Sequence, residues 1–324
     1  MLPKFNESIL LEKYDPINKS LNLSNQGISD EHIEKISKFI EEHNIEKVNL
    51  DNNYIKSLQG FKNNRSLKEL SLSFNYLHAS GVEEFCKEND TLESLNVSNN
   101  TLDDEGAEYV ALHKSLKFLN ISSNRLSNKG VKSIAETQNQ NLQSLKIGGN
   151  YFDADGVVML ADNKYFKALD LSESCIGYVA PNLLQIATTP FKLAPLDGNL
   201  HHSDIDEEDA ENIEQPTLIE TESLKGIKAL AKSQNLTLLK IKYGRVSSEG
   251  IKCLISAVNE NSIRVLKCSN CHDPKAENYE EMEQLLLQLS ECYSKKPMSR
   301  GNIVFFKSNT EDDTLLTEKS SCQP

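Results

Sequence analysis

The chain has 324 residues, a net charge of −13, 38% hydrophobic residues and no Trp. That charge excludes the basic surface of a generic nucleic-acid binder, and no apolar run approaches the ~18 residues of a membrane helix. Seven scattered cysteines point to a reduced compartment rather than a disulfide framework.

Residues 1–17 are expected to form an N-terminal cap, with Phe5, Ile9, Leu10 and Tyr14 as an apolar lid over the first repeat unit. Their only apolar stretch is interrupted by charges, unlike a signal peptide. From residue 18 the chain repeats. A first unit carries Leu21, Leu23 and Ile28, then a strongly periodic helix with Ile33, Ile36, Phe39 and Ile40. A short second unit carries Ile45, Val48, Leu50, Asn53 and Ile55.

Four regular units come next, starting at Leu67, Leu92, Leu116 and Leu142. In each, apolar residues stand three and five places after the first. An asparagine falls eight places after it (Asn75, Asn100, Asn124, Asn150) and a glycine six further on (Gly81, Gly106, Gly130, Gly156). The first half reads as a short strand whose alternate residues point inward. The asparagine stands at a turn where its carboxamide can satisfy buried backbone groups. The second half starts a helix that closes the back. One such unit cannot bury its apolar face alone, so the units are expected to stack.

A seventh unit has Phe166, Leu169 and Leu171, with Ser174 at the asparagine position. A degenerate eighth has Phe191, Ala194, Leu196 and Asn199. Residues 203–222 are rich in Asp and Glu, contain no Lys or Arg, and read as an acidic insertion. The period resumes with Leu236, Leu239 and Ile241, then Ile263, Leu266 and Cys268, and a last strand is expected at Ile303 to Phe306. Residues 310–324 are polar and are expected to be a disordered tail.

Chemical motifs are few. Cys268, Cys271 and His272 match a haem-attachment spacing, but the first two fall on repeat positions and are read as core cysteines. His201, His202, Asp204 and Asp206 could suggest a metal, yet a calcium loop starting at Asp204 would need glycine and glutamate where Asp209 and Gln215 stand. With no phosphate loop, GxSxG elbow or HExxH present, no catalytic residue, metal or cofactor is expected.

The pattern in Leu92, Leu95, Val97, Asn100, Leu102, Gly106, Ala107 and Val110 resembles ribonuclease-inhibitor-like leucine-rich repeats, in particular the GALA type of bacterial secreted effectors. The resemblance spans residues 18–309. It implies an α/β horseshoe of about ten strand–helix units, with a parallel concave sheet and convex helices. The Asn-, Lys- and Ser-rich composition and acidic end are similar to type IV-secreted effectors of intracellular bacteria. That likeness implies delivery into a host cytosol by a non-classical route.

The resemblance implies a protein-binding module, monomeric on its own, that engages a host protein or a bacterial effector enzyme. The alternative is an inhibitor that occludes a partner enzyme's active site. Outward strand positions change along the chain from Asn22, Asn49, Ser71, Asn96 and Asn120 to Lys146, Lys240, Lys242 and Lys267. Phe118, Leu193, Leu238, Tyr243 and Val265 stand at adjacent outward positions. Apolar residues flanked by lysines match the centre and rim of an interface, with Tyr243 as the expected anchor. The asparagine ladder is expected to comprise Asn53, Asn75, Asn100, Asn124, Asn150 and Asn199.

Overall fold

The computed structural model describes residues 8–174, 217–242, 246, 248–260, 263–269 and 302–306. A short helix α1 (Ser8–Lys13) and strand β1 (Tyr14–Asp15) open it, and β1 lies antiparallel to β2 (Ser20–Asn22). Strands β3 (Lys47–Asn49), β4 (Glu69–Ser71), β5 (Ser94–Asn96), β6 (Phe118–Asn120), β7 (Ser144–Lys146) and β8 (Ala168–Asp170) then add in sequence order, each parallel to the last.

The register follows from the apolar spacing. The middle residue of each strand from β2 to β8 faces the core, and these residues pair in line: Leu21, Val48, Leu70, Leu95, Leu119, Leu145 and Leu169. All seven are buried. A slip of one residue would turn this column out to solvent, so burial fixes the register.

Behind the sheet stand α2 (Asp30–Glu42), α3 (Ala79–Glu88), α4 (Asp103–Ala111), α5 (Asn128–Ala135) and α6 (Ala154–Asp162). The short second unit supplies only a 3₁₀ turn at Gln59–Phe61, whose Phe61 fills the space a full helix would occupy. Helices pack this closely because of the repeated glycine. A Cβ on Gly81 would lie 1.9 Å from the Lys56 carbonyl oxygen of the preceding unit.

After β8 the described chain resumes at residue 217. Helix α7 (Thr217–Lys232) packs on α6, and β9 (Leu238–Lys242) pairs directly with β8, Leu169 opposite Leu239. Phe191, Ala194, Leu196 and Asn199 of the expected eighth unit lie outside the described residues. Helix α7 begins inside the segment expected to be acidic insertion.

Helix α8 (Ser248–Glu260) and β10 (Val265–Ser269) complete the parallel series. The last strand, β11 (Asn302–Phe306), pairs with β10 antiparallel instead of continuing the repeat frame. No helix among the described residues is long and apolar enough to cross a membrane.

Candidate protein-binding face

The face of the sheet away from the helices is open. Its first outward column runs Ser20, Lys47, Glu69, Ser94, Phe118, Ser144, Ala168 and Leu238 on successive strands. Phe118 is 44% exposed at its centre, and Ala168 and Leu238 are half-buried. The next column runs Asn22, Asn49, Ser71, Asn96, Asn120, Lys146, Asp170 and Lys240. The Lys240 ammonium donates to Asp170 at 2.8 Å, so the positive charge is paired across β8 and β9.

Of the residues expected to bind a partner, Phe118, Lys146, Leu238 and Lys240 share this face. Val265 stands in the same column, opposite Leu238, but is only 4% exposed. It lies between Leu238 of β9 and Phe306 of the antiparallel β11. Leu193 and Tyr243, and the side chains of Lys242 and Lys267, lie outside the described residues.

The asparagines of the second column hold the turns beyond their strands. The Oδ1 atoms of Asn22, Asn49, Asn96 and Asn120 accept from the backbone N–H two residues on, at 2.8–3.2 Å. Asp170 does the same for Ser172. Ser71 cannot reach, and there Asp51 of the previous unit accepts from the Ser73 N–H at 2.7 Å and the Ser71 hydroxyl at 2.6 Å. Burial pushes the Asp51 carboxyl above the usual carboxylate range, against the pull of those two bonds.

Beneath the face runs the asparagine ladder. Asn100 is typical. Its Nδ2 donates to the carbonyls of Leu72, Val97 and Ser98 at 3.0–3.1 Å, and its Oδ1 accepts from Leu77 N–H at 2.9 Å. Asn53, Asn75, Asn124 and Asn150 are equally buried and bonded to their own and the preceding turn. The Gln26 side chain donates to the Ser24 carbonyl of its own turn, while its backbone N–H donates to Asn53 Oδ1 of the next unit. Asn199 lies outside the described residues.

A second ladder was not expected from the sequence. Asn64, Asn89, Asn139 and Asn163 are buried three residues before the first leucine or phenylalanine of the next unit. Each donates to a carbonyl of the preceding unit at 2.7–3.0 Å. Its signal is that fixed spacing of three. His113 breaks the series. It is 1% exposed, its ring is tilted against Phe85, and its Nε2 has no partner among the described residues. Burial pushes its pKa down to about 4, with Asp90 pulling weakly the other way. Cys86 is a core residue whose thiol burial pushes up to about 12, far from a nucleophile's range.

The sequence stretches 63–86, 88–111, 113–135 and 138–161 match the Leucine Rich repeat family. No curated protein matches the chain. Among solved structures, it is similar to the Mex67 LRR domain from Chaetomium thermophilum, 26% identical over 35% of this chain and 87% of that one, with a TM-score of 0.30. The Chaetomium Mex67:Mtr2 subunits match at 26% identity over 35% and 85%, with a TM-score of 0.28. An internalin (inlF) from Listeria monocytogenes matches at 18% identity over 48% of each chain, with a TM-score of 0.35. The matched repeats and the in-register column of strands make the fold an α/β leucine-rich-repeat solenoid.

Proposed function

We propose that this solenoid binds a partner protein through the open face of strands β6 to β9. Stacked units present an extended surface suited to binding, and no described side chain there is arranged for catalysis. The observation that carries the reading is Phe118. It is a large aromatic held exposed at the centre of a rigid sheet, with Ala168 and Leu238 in its own column and the Lys240–Asp170 pair beside them. An apolar centre with a polar rim is the anatomy of an interface, and aromatic residues dominate binding hot spots. The acidic composition and the likeness of the repeats to GALA-type effectors support a role as an effector delivered into a host cell, acting on a host protein or on another effector.

The test is affinity capture of partners from host and bacterial lysates, followed by binding of the purified partner to wild type and Phe118→Ser. The variant should keep its unfolding midpoint, because Phe118 does not pack in the core. It should lose about 2 kcal/mol or more of binding. Unchanged affinity would refute the assignment of this face.

A further inference from the structure

A second surface lies on the turns that lead out of the sheet. The residue before each ladder position adopts a left-handed backbone: Asn25, Asn52, Phe74, Asn99 and Ser123 have φ between 54° and 60°. Asparagine tolerates this region and a bulky aromatic does not. Phe74 nevertheless stands there 57% exposed, so neither backbone preference nor core packing accounts for it. Next to the ladder asparagines of the same two units stand Tyr54 and Tyr76, 41% and 36% exposed. Their rings stack with centroids 6.1 Å apart and planes 18° from parallel. The backbone of this ledge is fixed by bonds from Tyr54 N–H to Ile28 and from Tyr76 N–H to Ile55, at 2.7 and 2.9 Å.

The surroundings carry little charge in a chain that is 26% charged. The strand ends and turns beside the ledge are mostly Asn, Ser, Gln or Thr; the ionisable residues there are Lys56, His78 and Asp51, whose carboxylate is engaged by Ser71 and Ser73. The carboxamide oxygens of Asn22 and Asn49 are taken by backbone N–H groups. That fixes their Nδ2 groups as donors, with no acceptor among the described residues. An aromatic ledge beside a row of donors suits main-chain carbonyls.

We infer that Tyr54, Phe74 and Tyr76 dock an extended, uncharged polypeptide segment, which lays a proline or aromatic side chain on the ledge and offers carbonyls to Asn22 and Asn49. This rests on the solenoid being a protein-binding scaffold but uses the β2–β4 end of it and not Phe118. The test is a random-peptide display library selected on the full chain. Hits are compared on wild type, Phe74→Asn and Phe118→Ser, with a glycan array in parallel. Asn occupies the same conformation at positions 25, 52 and 99, so Phe74→Asn should unfold at the same temperature as wild type or higher. Uncharged peptides bearing proline or aromatic residues should bind Phe74→Asn about tenfold more weakly and Phe118→Ser as well as wild type. Four outcomes would overturn the inference: no enriched peptide, equal binding to Phe74→Asn, a lowered unfolding midpoint for that variant, or glycan binding that Phe74→Asn abolishes. Peptides lost on Phe118→Ser yet kept on Phe74→Asn would also overturn it, while leaving the open-face reading intact.

Discussion

Single buried polar side chains tie neighbouring units together, and two of them make sharp predictions. Asn124 donates to Val97, Ile121 and Ser122 carbonyls and accepts from Leu102 N–H. Asn124→Ala would strand several of these groups at roughly 1–3 kcal/mol each, so its urea midpoint should fall by the equivalent of about 3 kcal/mol. His113 behaves differently. Its folded pKa of about 4 lies below the ~6.5 of an unfolded histidine, so between those values the unfolded chain binds the extra proton. The neutral ring's contribution is intact above pH ~6.5 and is lost as pH falls towards 4, by up to about 3 kcal/mol. His113→Asn, which restores the ladder residue, should flatten stability across that window when urea midpoints at pH 7 and pH 4.5 are compared. An undiminished pH slope would show that other groups cause it. The first ladder was legible because its asparagines recur at a fixed distance from the strand leucines. The second was hidden by helices of unequal length before it and by His113 within it.

At the level of elements, helices of adjacent units are joined at their starts. Asp104 of α4 accepts from the N–H groups of Ser127 and Gly130 and from the Ser127 hydroxyl, at 2.6–2.9 Å, and so caps α5 from outside. Asp104→Ala should cost about 1–2 kcal/mol, the range of a lost N-cap, read as a lowered unfolding midpoint. Gly81 offers a test of opposite sign from habit. Gly→Ala inside a helix normally gains about 1 kcal/mol, but a Cβ here meets the Lys56 carbonyl at 1.9 Å, so Gly81→Ala should lower the melting temperature. Strand and helix positions of the regular units were readable because period and burial agree. The 3₁₀ turn of the second unit and the antiparallel β11 were not. Each replaces a repeat element with one that local periodicity does not distinguish from it.

Across the whole molecule, the core is one continuous column from Leu21 to Leu266, and the open face changes character along it. Asparagine and serine dominate from β2 to β5, and Phe118, Ala168 and Leu238 from β6 to β9. The change in composition was legible, because outward positions alternate with the core leucines. The burial of Val265 and the Lys240–Asp170 pairing were not, since both depend on which strands become neighbours, β9 beside β8 and β11 beside β10. Hydroxyl-radical footprinting, with the captured partner and without it, tests the binding face most directly. In the free chain Phe118 and Tyr151 should label while buried Phe61, Phe85 and Phe152 do not. In the complex, Phe118 should be protected and Leu112, near the end of α4, should label as before. Protection of Leu112 with Phe118 still reactive would place the partner elsewhere and contradict the account.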